Sequence, residues 1–239
     1  MNAAKVYDVS IIMLGSFADR SDIAADPTNG KESLVAARQT PFHDVGIEAG
    51  AEMQELFGYL LPWQYERGHV EEHLATRNRV SICDLDYMAE FKIVGPAALQ
   101  FAQELLTNDF SSLGIGRVRY TAMCNFEGNM VDDGTLWRLA DNEYVLITGS
   151  ESDFDWVSGQ ASEFDVEVSN ITSTWTTLAV QGPDSRPVIE ALVGPGVVDS
   201  LPYYGFVRVS LAGSECLLAR MGYTGEFGYE FHLAGPSWL

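Results

Sequence analysis

The strongest constraint on the fold is a strand–Gly-Pro–helix unit that occurs twice in the chain. In each unit a short apolar run, typical of a β-strand, precedes Gly-Pro and then an amphipathic run with helical periodicity. Proline suits the beginning of a helix, because its missing N–H has no intrahelical partner to lose there. The units comprise residues 91–94, Gly95-Pro96 and residues 97–106, and residues 178–180, Gly182-Pro183 and residues 185–192. Two such units predict an internal structural repeat.

The rest of the pattern is rich in strands. Residues 117–125 and 130–139 predict two strands joined by the turn Glu127-Gly128-Asn129. Further strands are predicted at 144–148, 164–168, 207–211, 215–219 and 229–233, and further helices at 70–80 and at 150–160 with Ser150 as its cap. These helices and strands do not alternate strictly, as they would around a parallel sheet. The pattern therefore indicates an α+β fold with antiparallel sheets.

Length and composition indicate one large domain or two small ones. The chain has 239 residues, of which 46% are hydrophobic and 20% are charged, as is ordinary for a globular protein. Residues 1–36 contain a polar stretch with Pro27 and Gly30, which predicts an N-terminal extension or linker. The folded domain is expected to span residues 37–239. No apolar run reaches the roughly 18 residues that a membrane span needs, so no membrane partner is expected.

Net charge limits the kinds of binding partner that are expected, and the cysteine content indicates the cellular compartment. The formal net charge is −20. Nucleic acid is therefore an unfavourable partner, because binding it depends on neutralising phosphates with lysine and arginine. The three cysteines, Cys83, Cys124 and Cys216, are odd in number and widely spaced, which favours reduced thiols and a cytoplasmic location.

The short motifs of several enzyme classes are missing. The sequence has no phosphate-binding loop, no dinucleotide-binding glycine motif and no serine-hydrolase motif. His69-Val70-Glu71-Glu72-His73 matches the inverted zinc-peptidase pattern H-x-x-E-H, in which two histidines one helical turn apart hold zinc. A solvent-facing helix rich in glutamate and histidine gives the same string, and we expect no metal site.

Three other segments are candidates for a functional site. Asp132 and Asp133 are adjacent in a predicted strand, so one side chain faces the interior and one the solvent, unless both belong to a turn or a sheet edge. Residues 220–230, with three glycines at spacings of three, indicate either a loop whose backbone approaches a ligand or a tight hairpin. Tyr203-Tyr204-Gly205-Phe206 belongs either to the core or to a site where aromatic rings stack on a planar ligand.

In order along the chain, these segments resemble the aminomethyltransferase family, the T protein of glycine cleavage. The matching motifs are Thr40-Pro41-Phe42 with the family's T-P-L, Leu61-Pro62-Trp63-Gln64-Tyr65 with M-P-x-x-Y, Val70-Glu71-Glu72-His73 with V-x-E-H, residues 84–91 with D-V-S-H-M-G-E-F, Leu106-Thr107-Asn108-Asp109 with L-x-T-N-D, then Arg119-Tyr120-Thr121, Val131-Asp132-Asp133, residues 178–183 and the segment G-Y-T-G-E-F-G-Y-E at 222–230. The resemblance covers residues 38–239. A collinear series of motifs is specific for the superfamily of folate-dependent one-carbon transferases.

The resemblance implies a folate-binding fold of three subdomains around a central channel, with tetrahydrofolate as the cofactor. It implies that Asp133 is the catalytic residue. The residues that it places at the folate are Met88, Tyr120, Asp133, Trp137, Tyr203, Tyr223 and Glu230. Trp137 stands where the family usually has tyrosine. The family continues past the position of Leu239 with a barrel subdomain and a folate-contacting arginine, so the C-terminal barrel subdomain is expected to be missing.

The activity implied is transfer of a one-carbon unit to tetrahydrofolate from the aminomethyl-lipoyl arm of the glycine cleavage H protein, with release of ammonia. One alternative is a tetrahydrofolate-dependent demethylase of a small methyl donor: sarcosine, dimethylglycine, a sulfonium compound or an aryl methyl ether. Gly149 in place of a folate-contacting asparagine, and Asp86-Tyr87-Met88 in place of S-H-M, favour this alternative because they change the donor-facing wall. Another alternative is a non-catalytic folate-binding relative, which a missing C-terminal part would favour.

Overall fold

The computed structural model describes residues 10–11 and 37–234 of the chain. The strands are β1 (Ser10–Ile11), β2 (Arg38–Gln39), β3 (Glu52–Leu56), β4 (Tyr59–Gln64), β5 (Ser81–Asp84), β6 (Ala89–Val94), β7 (Arg117–Cys124), β8 (Met130–Ala140), β9 (Glu143–Thr148), β10 (Glu167–Asn170), β11 (Trp175–Gln181), β12 (Phe206–Leu211), β13 (Ser214–Ala219) and β14 (Gly228–Ala234). The helices are α1 (His43–Glu48), α2 (Gly68–Asn78), α3 (Ala98–Leu105), α4 (Asp153–Gln160), α5 (Ser185–Val193) and α6 (Pro195–Ser200).

The strands form three sheets. The largest has six strands in the order β1-β5-β11-β14-β13-β12, the second has five in the order β10-β6-β9-β8-β7, and the third has three in the order β2-β4-β3. Every pairing in the five-stranded sheet is antiparallel. In the six-stranded sheet only β1 and β5 pair in parallel, and in the three-stranded sheet only β2 and β4 do. The predicted α+β fold with antiparallel sheets is confirmed.

The two Gly-Pro units form the same substructure in two different sheets. Strand β6 leads through Gly95-Pro96 into α3, and strand β11 leads through Gly182-Pro183 into α5. The same turn closes both units, because the residue three positions after each glycine donates its backbone N–H to the glycine carbonyl, at 3.1 Å for Gly95 and 3.0 Å for Gly182. The internal repeat predicted from the sequence is therefore present in the fold.

Hydrophobic packing stacks the two larger sheets between helices. One core cluster joins α3 and α4 to the five-stranded sheet, with Phe91, Phe101 and Leu146 fully or almost fully buried. A second cluster lies between the five-stranded and six-stranded sheets and includes the buried Trp137. A third, which contains the buried Ile189, joins α5 and α6 to the far face of the six-stranded sheet. The layer order helix, sheet, sheet, helix leaves β7 and β8 facing the six-stranded sheet.

Two local expectations are corrected by the structure. Ser150 is not the cap of the helix predicted at 150–160, because α4 begins at Asp153 and its cap position is Ser152. Ser150 instead makes a turn before the helix, in which its Oγ accepts the backbone N–H of Ser152 at 3.2 Å. The strand expected at 164–168 lies later, as β10 at Glu167–Asn170, where it pairs with β6.

Of the predicted N-terminal extension, only Ser10–Ile11 is described, and it pairs in parallel with Ser81–Ile82 of β5. The remainder of residues 1–36, including the predicted polar linker, lies outside the described residues. In the part of the chain that the structure covers, no helix combines the length and apolar character required to cross a bilayer.

Candidate active site

The hairpin of β7 and β8 brings Tyr120 and Asp133 together. In the antiparallel register of the hairpin, Asp133 of β8 lies opposite Ala122 of β7. Tyr120 lies two residues before Ala122 on β7, opposite Thr135. Both side chains therefore project from the same face of the hairpin. The Tyr120 hydroxyl donates a hydrogen bond to Asp133 Oδ2 at 2.7 Å. That hydrogen bond is the main cause that raises the pKa of Tyr120, so the tyrosine stays protonated and serves as a donor to the carboxylate.

Asp132 is committed to the protein backbone, unlike its neighbour. Its Oδ1 accepts the N–H of Asp133 at 2.8 Å, and its Oδ2 accepts the N–H of Gly149 at 2.9 Å. Burial, and then a hydrogen bond with Asp132, raise the pKa of the nearby Asp153 to about 7. The two adjacent carboxylates thus have separate partners: Asp132 ties β8 to the end of β9, whereas Asp133 is held by a tyrosine hydroxyl.

Three tyrosines at the predicted site keep much of their surface exposed. Tyr120 is 52% exposed, Tyr203 is 59% exposed and Tyr223 is 73% exposed. Tyr203 packs edge to face on Tyr204, with 4.6 Å between ring centroids. Met88 is partly buried and packs against the cluster between the two large sheets.

Trp137 and Glu230 lie deeper than the tyrosines. Trp137 is fully buried, and its Nε1 donates a hydrogen bond to Thr135 Oγ1 at 2.9 Å. Its ring packs on Phe206 at 5.0 Å and, edge to face, on His232 at 4.5 Å between centroids. Glu230 is 5% exposed and its Oε2 lies 3.2 Å from His232 Nε2. The direct contact of either side chain with a folate stays a prediction.

The glycine-rich segment 220–230 wraps around the side chain of Gln181, the last residue of β11. Gln181 Nε2 donates to the carbonyls of Met221 and Tyr229, both at 3.2 Å, and its Oε1 accepts the Thr224 hydroxyl at 3.0 Å. A Cβ atom on Gly222 would lie 1.8 Å from Gln181 Oε1, and one on Gly228 would lie 2.4 Å from Nε2. Both positions therefore require glycine, because the loop backbone closes on a buried glutamine.

Replacement of Gln181 by leucine is expected to destabilise the chain by about 2–4 kcal/mol, since two buried backbone carbonyls and one hydroxyl lose their partner. Urea unfolding followed by circular dichroism measures the change. Thr224→Val is the matched control and should cost about 1 kcal/mol, because it removes only one of the three hydrogen bonds of Gln181, together with the long hydrogen bond of 3.3 Å that the Thr224 hydroxyl accepts from the N–H of Glu226. Equal losses in the two variants would contradict the central place of Gln181 in the loop.

The H-x-x-E-H string lies on α2, but its side chains do not converge. Glu72 is buried and its Oε1 accepts the backbone N–H of Tyr65 at 2.7 Å, whereas His69 and His73 are exposed. Glu72 therefore anchors the chain before the helix. Within residues 37–234 no group of three or more histidine, cysteine or acidic side chains is arranged to hold a metal ion.

Sequence reasoning missed the buried histidine that lies beside Glu230. His232 and Glu230 project from the same face of β14, and His232 is 1% exposed. A histidine two residues after a glutamate in an otherwise apolar strand was the available signal. Asp86 and Glu90 were also missed as buried carboxylates; they are 8% and 2% exposed.

Comparison with known proteins identifies the family. The family model described as the GCVT N-terminal domain matches residues 42–237, most of the chain. The chain belongs to this family. The resemblance to aminomethyltransferases seen in the sequence is thereby confirmed. An aminomethyltransferase of Thermotoga maritima is 38% identical over 199 residues, and one of Staphylococcus haemolyticus is 38% identical over 198 residues.

Solved structures agree on the GCVT fold. The glycine cleavage system aminomethyltransferase T from Bartonella henselae superposes with a TM-score of 0.73 at 27% identity, over 83% of this chain and 54% of that one. A heterotetrameric sarcosine oxidase from Corynebacterium sp. U-96 has a TM-score of 0.52 at 15% identity, over 82% and 87%, and shows the fold alone. Each curated relative matches 82% of this chain but 54% of its own length, so the chain spans about half the length of these relatives.

Proposed function

We propose that this chain provides the folate site and the catalytic carboxylate of a tetrahydrofolate-dependent aminomethyltransferase. The observation that carries the proposal is the hydrogen-bonded pair of Tyr120 and Asp133, at 2.7 Å, on the hairpin of β7 and β8. Relatives that are 38% identical and named aminomethyltransferases support the assignment. The residues present suit a reduced pterin, which is flat and rich in N–H donors: exposed Tyr203 and Tyr223 offer ring faces, and Glu230 offers carboxylate oxygens.

In the proposed reaction, the carbon of an aminomethyl group on the lipoyl arm of a carrier H protein passes to tetrahydrofolate. Its bonds to the amine and to the lipoyl sulfur break, two tetrahydrofolate nitrogens bond to it, and their protons leave with ammonia and the lipoyl thiol. A fixed carboxylate stabilises the positive charge that develops during such a transfer and can accept a proton from an amine. Asp133 has this role, and Tyr120 keeps its carboxylate in one orientation by donating to Oδ2.

A second candidate function is a tetrahydrofolate-dependent demethylase of a small free donor. Asp86 and Tyr87 replace the serine and histidine of the family motif, and Gly149 gives its backbone N–H to Asp132 where the family has an asparagine. These differences favour a changed donor wall. The two functions differ in the donor alone, so the same carboxylate at position 133 would act in both.

The test begins with calorimetric titration of tetrahydrofolate into the purified chain. The expected result is binding with a micromolar dissociation constant. Turnover is then assayed with aminomethylated H protein and, separately, with sarcosine and dimethylglycine. Turnover with the H protein supports the aminomethyltransferase, and turnover with free donors alone replaces it with the demethylase. Binding without turnover on any donor would leave a non-catalytic folate-binding protein.

Replacement of Tyr120 by phenylalanine is expected to lower kcat about tenfold and to change KM little. The variant removes one hydrogen bond to a charged group, which is worth about 1.5–3 kcal/mol, and keeps the ring that would face the ligand. Steady-state kinetics measure the effect. Tyr144→Phe is the matched control, because the buried Tyr144 hydroxyl has no hydrogen-bond partner and lies in the same sheet away from Asp133. An unchanged kcat in the Tyr120 variant would remove the hydroxyl from the mechanism.

A further inference from the structure

We propose that His232 is a positioning residue that holds the carboxylate of Glu230 in one orientation by donating a hydrogen bond from Nε2. The inference rests on the proposed function, in which Glu230 accepts hydrogen bonds from the pterin. His232 and Glu230 are 1% and 5% exposed, and their Nε2 and Oε2 atoms are 3.2 Å apart. No residue of the family motifs in the sequence points to this histidine.

The contacts on the opposite side of the ring decide which nitrogen carries the proton. Trp175 Nε1 lies 3.2 Å from His232 Nδ1. An indole N–H can only donate, so Nδ1 must accept and carries no proton of its own. In the neutral imidazole the single proton is therefore on Nε2, which faces Glu230. Trp175 thus sets the tautomer that lets His232 donate to the carboxylate.

The histidine ring is held on several sides. In the sheet, His232 pairs with Thr177 of β11 and with Leu217 of β13, and the Thr177 hydroxyl lies 3.1 Å from Nδ1. Trp137 of the facing sheet packs edge to face on the ring, at 4.5 Å between centroids. The fixed His232 ring can donate from Nε2 in only one direction, and the Glu230 carboxylate that accepts from it therefore keeps one orientation.

This arrangement gives Trp137 a part in the site that does not require contact with ligand. Trp137 is fully buried, and it touches His232 and Phe206. It acts on the folate site through His232, whose ring it supports.

Two substitutions of His232 separate positioning from simple packing. Glutamine places an amide nitrogen near the position of Nε2 and keeps a donor for Glu230, whereas asparagine reaches only the position of Nδ1 and leaves Glu230 without one. Tetrahydrofolate binding is measured by calorimetry for the full chain, and urea unfolding confirms that each variant folds. The asparagine variant is expected to bind about tenfold to a hundredfold more weakly, and the glutamine variant within about threefold of wild type.

A second measurement does not depend on folate. Nitrogen-15 NMR of the ligand-free chain reports the tautomer of His232 directly, and the expected state is Nε2–H. Trp175→Phe keeps most of the ring volume and removes the N–H that sets the tautomer, so a mixture of tautomers and an affinity loss of about threefold to tenfold are expected.

The outcomes distinguish failure of the positioning role of His232 from failure of the proposed function. If wild type binds tetrahydrofolate and His232→Asn binds equally well, the positioning role is overturned and the proposed function stands. Equal weakening in the glutamine and asparagine variants, or an Nδ1–H tautomer in wild type, also overturns it. If wild type binds no tetrahydrofolate, the proposed function fails and the role toward the pterin fails with it, whatever tautomer is measured.

Discussion

Replacement of Asp133 by asparagine is expected to reduce one-carbon transfer by at least a hundredfold, while tetrahydrofolate binding and the free energy of unfolding change little. Asparagine has nearly the same shape as aspartate, and its amide oxygen can still accept the Tyr120 hydroxyl that now bonds to Oδ2 at 2.7 Å. It carries no negative charge and accepts no proton. Loss of a positioned acid–base group costs about a hundredfold to ten-thousandfold in rate.

The neighbouring carboxylate provides the control for this prediction. Asp132→Asn makes the same chemical change one residue away, at a side chain that accepts the backbone N–H groups of Asp133 and Gly149. We expect this variant to lose stability, because an amide can accept at only one of those two positions, and to keep most of its turnover per folded molecule. If Asp133→Asn is active and Asp132→Asn is inactive, the catalytic role belongs to Asp132 instead. Steady-state rates and urea unfolding of both variants decide the matter.

The elements that depend on local sequence could be predicted, and those that depend on distant partners could not. The strand β8 and the helix α2 follow from patterns that a short window contains. The three-stranded sheet of β2, β3 and β4 was not predicted. Strand β2 has only two residues, and β3 is mostly exposed. Neither strand therefore shows a clear alternation of apolar and polar positions.

The contacts of the glycine-rich segment 220–230 also depend on residues distant in the sequence and could not be predicted. Its glycines at spacings of three indicate close backbone approach, but the sequence leaves open what is approached. The structure answers with Gln181, which lies about forty positions earlier in the chain and on a different strand. Likewise, the tautomer of His232 depends on Trp175, across the sheet. Only strand pairing brings such residues together, and pairing between β11 and β14 is long-range information that periodicity does not contain.

Resemblance to the aminomethyltransferase family and physical reasoning contributed different parts of the candidate site. Alternation along a strand gave opposite directions for Asp132 and Asp133, but it could not say which was available for chemistry. The resemblance selected Asp133. The structure supplies a physical reason for that selection, since Asp132 already accepts two backbone N–H groups and Asp133 Oδ2 has a tyrosine hydroxyl as its partner.

Asp86→Asn is expected to stabilise the chain by about 2 kcal/mol or more at pH 8, with a rise in Tm of about 4–8 °C. Asp86 is 8% exposed, and its Oδ1 accepts the backbone N–H of Thr177 while its buried Oδ2 has no hydrogen-bond partner. Burial, and then the nearby charge of Asp84, raise the pKa of Asp86 to about 8. The ionised form is therefore unfavourable in the folded chain, and asparagine avoids it.

The effect should depend on pH in a defined direction. In the unfolded chain Asp86 titrates near pH 4, whereas in the folded chain it keeps its proton up to about pH 8. Between these values the folded state binds more protons than the unfolded state, so the free energy of unfolding falls as pH rises. The gain from asparagine should consequently be small near pH 4, grow through this window and level off above pH 8. The wild-type slope should persist in part in the variant, because burial also raises the pKa of Glu90 and of Asp153.

Thermal unfolding of wild type and variant from pH 5 to pH 8.5 measures this difference. Asp165→Asn, the same substitution at an exposed residue, is the control and should change stability by no more than about 0.5 kcal/mol at any pH. A stabilisation by Asp86→Asn that is independent of pH would mean that the carboxylate is ionised throughout and that some buried partner compensates its charge. A destabilisation at pH 8 would mean that the negative charge itself is needed by the fold. Only a gain that grows with pH is consistent with a buried, neutral acid at position 86.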